Sequence, residues 1–180
     1  GFDTLVENSI VHDVCWDGSL RYVPIMTGAN GGPADAAAGT VRGCTVFNLG
    51  NAGICFRSRP CVIERNVVFD GGLSCHDVAL IYTGGPGASG SIVRYNWVAG
   101  CRTDIGGGLG IRGDDQTRNL TVHHNVVWDA GAAGIIVKGD LNTVCNNTVL
   151  YVGTKDRPGA FINMPTRTEP TKPWRKQHPL

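Results

Sequence analysis

Four residues stand out by type and placement. Arg57, Tyr82, Arg112 and Lys138 each follow directly on an apolar residue of a β-type segment (Phe56, Ile81, Ile111 and Val137), at separations of 25, 30 and 26 residues. If the apolar residue turns inward, the next side chain points out, so the four are expected to form one outward column. Lys138 is the only lysine before Lys155. A column of cations is a suitable receptor for a polyanion. It also holds the parts for proton transfer, provided burial or a neighbouring cation lowers the pKa of Lys138 or Tyr82.

Carboxylates follow closely. Gly113-Asp114-Asp115 comes after Arg112, and Gly139-Asp140 after Lys138. Ca2+ takes about six to eight oxygens from several carboxylates and carbonyls, which makes Asp114, Asp115 and Asp140 its candidate ligands. Asp after Gly is also ordinary turn chemistry. His76, in a corner loop near Tyr82, is a candidate proton carrier. His123 and His124 lie in one strand segment, where alternation sends the two rings to opposite faces and makes a poor metal site.

The elements that position these residues are repeats. Six segments share aliphatic-x-x-Asn-x-aliphatic: Leu5 to Ile10 around Asn8, Val41 to Val46 around Cys44, Ile63 to Val68 around Asn66, Val93 to Val98 around Asn96, Val122 to Val127 around Asn125, and Val144 to Val149 around Asn147. The separations are 36, 22, 30, 29 and 22 residues, so the unit is about 22 with insertions. Each unit offers two or three short strands between Gly, Asn or Asp corners, with period-2 alternation and no 3.6-residue stripe. Three-strand coils of this length stack as a right-handed parallel β-helix, an all-β solenoid of about six coils and roughly 29 Å. The recurring Asn is expected to form a ladder, with Cys44 on one rung. The 26 glycines then fall at corners and strand starts.

The phrases Ser91-Ile-Val-Arg-Tyr-Asn96-Trp-Val, Leu120-Thr-Val-His-His-Asn125-Val-Val-Trp and Asn142-Thr-Val-Cys-Asn-Asn147-Thr-Val resemble repeats of the pectate-lyase-like superfamily, over about residues 3–163. That resemblance implies an extracellular protein that binds or cleaves an acidic polysaccharide, most simply by lyase chemistry on a uronate polymer. Similarity to the alginate lyase and chondroitinase B family implies Lys138 as base and Arg112 as its partner, with Tyr82 as an alternative proton carrier and Arg57 in substrate binding. The Asp114-Asp115 pair resembles the double Asp of polygalacturonases, where an acid and a base would flank a water; a hydrolase is the lesser expectation.

Seven cysteines include Cys75 and Cys101 in the loops of adjacent coils, a plausible disulfide. Asn119 and Asn146 head glycosylation sequons, one in a turn and one at an exposed strand position. Both features favour a secreted glycoprotein.

Residues 1–153 hold ten Lys and Arg against thirteen Asp and Glu, while residues 154–180 hold six against two and five of the nine prolines. The first span is the repeat body; the second is a last partial coil and a basic, extended tail. A total of +1 gives no field for nucleic acid. No apolar run approaches the ~18 residues of a membrane span. Strand edges at the rod ends need covering. A non-catalytic alternative follows: end-to-end homo-assembly into a fibre, through the coil ends and the C-terminal tail.

Overall fold

The computed structural model describes residues 4–19, 22–28, 38–57, 60–103 and 107–165. Its strands wind as six coils of three. The first coil is β1 (Thr4–Glu7), β2 (Ile10–Val14) and β3 (Ile25–Thr27), and the second is β4 (Gly39–Arg42), β5 (Thr45–Leu49) and β6 (Ile54–Phe56). The third is β7 (Cys61–Glu64), β8 (Val67–Gly71) and β9 (Ala79–Thr83), and the fourth is β10 (Ile92–Arg94), β11 (Trp97–Cys101) and β12 (Leu109–Gly113). The fifth is β13 (Thr121–His123), β14 (Val126–Ala130) and β15 (Ala133–Val137), and the sixth is β16 (Thr143–Cys145), β17 (Thr148–Val152) and β18 (Ala160–Asn163). Every third strand pairs in parallel with its counterpart on the next coil, which makes three sheets of six strands. This is the expected parallel β-helix.

Sheet register explains the sequence pattern. Val6, Val41, Ile63, Val93, Val122 and Val144 share one inward column of the first sheet. Val11, Val46, Val68, Val98, Val127 and Val149 do the same in the second. In the third sheet the column is Ile25, Ile54, Ile81, Ile111, Ile135 and Ile162. The members in the middle coils are fully buried, each worth about 1.5–3 kcal/mol. Glycines make room between these columns. A Cβ on Gly71 would lie 2.4 Å from Leu80 Cδ2, and Leu80 is completely buried in the space so left.

The Asn ladder is present. Asn66 Nδ2 donates to Asn96 Oδ1 at 3.0 Å, Asn96 Nδ2 to Asn125 Oδ1 at 2.9 Å, and Asn125 Nδ2 to Asn147 Oδ1 at 2.9 Å. Each acceptor oxygen also accepts from the backbone N–H of the ladder residue one coil back, and Asn66 Oδ1 likewise accepts from the Cys44 N–H at 3.0 Å. The corners therefore satisfy backbone groups that no strand reaches. Cys44 does occupy a rung, its thiol facing the carbonyls of Arg42 and Val6.

The first coil departs from expectation by one residue. Val6 and Val11, not Leu5 and Ile10, align with Val41 and Val46, so Ser9 takes the ladder position in place of Asn8. Leu5 and Ile10 are 53% and 70% exposed, as a one-residue slip requires. Asn8 instead belongs to a column of left-handed corner residues with Gly43, Arg65, Tyr95, His124 and Asn146, at φ of 49° to 63°. That backbone turn aims the next residue, the ladder amide, into the core.

Candidate functional site

The third sheet carries the charged residues on its outer face. Its outward column reads Met26, Cys55, Tyr82, Arg112, Ile136 and Asn163. Tyr82 and Arg112 share it as expected. Arg57 and Lys138 lie two residues beyond their column members, just past the ends of β6 and β15. The correction comes from the core: Ile54 and Ile135, rather than Phe56 and Val137, align with Ile81 and Ile111. A shift of two preserves the face, so all four side chains still converge. The Arg57 and Arg112 guanidinium carbons lie 5.3 Å and 5.8 Å from the Tyr82 ring centroid, within cation–π range.

Asp114 sits at the centre. Its Oδ1 accepts from Lys138 Nζ at 2.7 Å, and its Oδ2 accepts from Arg112 at 2.9 Å and from the Tyr82 hydroxyl at 3.2 Å. Arg112 reaches on to Asp77 at 2.6 Å, and Lys138 to Asp115 at 3.2 Å. The result is a chain of alternating charge, Asp77, Arg112, Asp114, Lys138 and Asp115. Its middle is covered and its two terminal carboxylates are open, at 65% and 57% side-chain exposure. Arg112 is only 8% exposed, and its buried Nε–H has no hydrogen-bond partner among the described residues. A cleft of about 100 Å³ opens over this chain, bounded by Met26, Asn51, Cys55 and Asp77 among others.

Titration follows from this packing. Burial favours a neutral Asp114, but Lys138 and Arg112 outweigh it and hold the carboxyl below its ordinary range. Burial likewise works against the Lys138 ammonium, and Asp114 and Asp115 outweigh it, so its pKa is raised. Tyr82 is pushed up to about 12, by burial first and by the Asp114 charge second. Neither expected base is poised to accept a proton near neutrality, because each would have to give up its own against that field.

Both oxygens of Asp114 accept from cations and a hydroxyl, and Asp140 stands at another corner, its backbone paired with that of Arg118. Among the described residues no three His, Cys, Asp or Glu side chains are grouped to hold a metal ion. His76 is exposed in the loop before β9 and makes none of these contacts, whereas its neighbour Asp77 is the residue the loop delivers. All seven cysteines are unpaired thiols. Cys75 Sγ faces the Gly50 carbonyl at 3.0 Å and the fully buried Cys101 faces that of Val78, so the expected disulfide is replaced by two separate contacts. Asn119 and Asn146 are exposed, and both occupy left-handed corners rather than one a strand. The tail beyond residue 165 lies outside the described residues.

Sequence reasoning missed Asp77 and Cys55 as parts of the site. Cys55 was legible in principle, one residue after the aligned Ile54. Asp77 was not, because only the fold of the 72–78 loop brings it back over Arg112.

Together the three parallel sheets and the ion-paired outer face define a parallel β-helix solenoid with one densely charged side. The family model of the right-handed β-helix region matches residues 3–149, and the chain belongs to that family. Neither a curated protein nor a solved structure matches it.

Proposed function

We propose that the outer face of the third sheet binds a polysaccharide and that the chain is an extracellular carbohydrate-binding β-helix. Membership of a family often concerned with carbohydrates supports the ligand class. The observation that carries the reading is the alternating chain itself: closed in the middle and exposed at Asp77 and Asp115. Exposed carboxylates accept hydrogen bonds from sugar hydroxyls.

Arg112 and Lys138 are already matched by carboxylates, so a uronate would have to displace an existing pair. The chain therefore favours hydroxyl-rich, weakly charged polymers over the polyuronates its cations first suggest. Binding without elimination is in keeping with the pKa directions of Lys138 and Tyr82. Exposed sequons at Asn119 and Asn146 fit the extracellular setting.

Affinity electrophoresis against neutral and acidic polysaccharides tests this. We expect retardation by at least one neutral polymer, with weak salt dependence, and at least a tenfold loss of affinity in the double variant Asp77→Asn, Asp115→Asn, whose circular dichroism confirms a retained fold. Retardation by none, or equal binding by the double variant, would refute the proposal. Unsaturated products from pectate, alginate or chondroitin sulfate would return the site to elimination chemistry.

A further inference from the structure

The cleft over the third sheet is only partly charged. Ala52, Cys55, Val78 and Ala79 line it at 1% to 6% exposure, together with the half-exposed Met26. In the outward column Tyr82 stands between Cys55 and Arg112. Asn51, also in the lining, engages its amide within the protein: Nδ2 donates to the carbonyls of Ser19 at 2.5 Å and Tyr22 at 2.9 Å, and Oδ1 accepts from the Ala52 N–H at 2.6 Å. The floor is therefore apolar. Two polar side chains of the same lining flank it. Arg57 is half-buried, its guanidinium carbon 5.3 Å from the Tyr82 ring centroid. Asp77 accepts from Arg112 at 2.6 Å and keeps 65% side-chain exposure. A donor and an acceptor thus face one another across a small apolar floor, in a cleft of about 100 Å³.

Resting on the saccharide reading of this face, we propose that the cleft seats the acetamido group of an N-acetylated hexosamine. Its methyl lies over Ala52, Val78 and Ala79, its carbonyl accepts from Arg57, and its N–H donates to Asp77. Selective small-molecule sites take this form, a mostly apolar lining with a few convergent polar groups. The cleft has room for several waters, which the planar amide and its methyl displace. Other saccharide substituents fit less well. A hydroxyl set over the apolar floor would lose its water with nothing to replace it. The bare methyl of a 6-deoxy sugar suits the floor but engages neither Arg57 nor Asp77. A uronate brings its carboxylate against Asp77, like charge on like. Only a group that carries a methyl, an acceptor and a donor together matches all three parts of the cleft.

Affinity electrophoresis of the full chain, with glycol chitin as the neutral N-acetylated probe beside polymers that lack the group, reads this directly. The retarding polymer is compared as it stands, after alkaline de-N-acetylation, and after re-acetylation. Removal of the acetyl groups is expected to lower affinity at least tenfold, as the loss of a fitted apolar group does, and re-acetylation to restore it. Ala52→Val, which thickens the floor, and Arg57→Met, which removes the donor, should each weaken binding of the acetylated polymer at least tenfold with unchanged circular dichroism. The chemical comparison needs no variant, so it decides the matter even where a substitution prevents folding. Retardation only by polymers without N-acetyl groups, equal affinity after de-N-acetylation, or full binding by both folded variants would overturn the assignment and leave the saccharide reading in place. Retardation by no polymer would remove both.

Discussion

Asp114 remains a carboxylate because Lys138 and Arg112 bracket it, and its behaviour with pH follows. Its folded pKa lies below the unfolded value of 3.8, so its stabilisation is present above that value and lost as pH falls through the folded one. Lys138, raised above 10.5, contributes below that value and loses its contribution as pH rises through its folded pKa. Thermal melts from pH 3 to 8 are expected to show the wild type losing stability at the acid end more steeply than Asp114→Asn. The variant should itself be destabilised by about 3 kcal/mol at pH 7, since Arg112 keeps a buried charge with one partner fewer. A second residue-scale test concerns Cys44, where the ladder lacks its amide. Cys44→Asn supplies an acceptor for the Ser9 N–H and a donor for the Val6 carbonyl, and is expected to stabilise by about 1 kcal/mol in denaturant titration. These residues show what spacing reveals. Tyr82, Arg112 and Lys138 were legible because each follows an inward aliphatic, and Asp114 because it follows a corner glycine, but the ion pairs around Lys138 depend on side-chain reach.

At the scale of elements, the strands of the third sheet are set by what fits at their starts. A Cβ on Gly134 would meet Val149 Cγ1 at 2.2 Å and the Phe161 carbonyl at 2.8 Å, and one on Gly110 would meet Val127 Cγ1 at 2.3 Å. Gly134→Ala should cost about 2–3 kcal/mol through overpacking, seen as a lower melting temperature. An unchanged melt would mean that the second and third sheets are packed less closely at this layer. Strand face was readable from alternation within each strand. Rung was not, since the corner between β5 and β6 and that between β14 and β15 set where each strand begins. The same limit produced the one-residue slip in β1 and β2, where Leu5 and Ile10 imitate the apolar pattern one position early. It also hid the bend at His124, because a bulky residue in the left-handed region carries no local sequence signal.

Across the whole molecule, stacking makes a local site out of distant sequence. Asp77, Arg112 and Lys138 come from three successive coils, and only the uniform rung spacing brings them into one chain. The fold was legible in nearly all its parts, since the aliphatic columns repeat six times and the ladder Asn four, and any single ambiguity is outvoted. The site was legible as a face and not as a mechanism, because its charges cancel one another in pairs that no periodicity announces. That cancellation is why the account favours recognition of hydroxyls over attraction of a polyanion. A crystal structure with a bound oligosaccharide of whichever polymer retards the chain tests this most directly. The account predicts sugar hydroxyls on Asp77 and Asp115, across the third and fourth coils; a saccharide seated on the first or second sheet, with the alternating chain untouched, would contradict it.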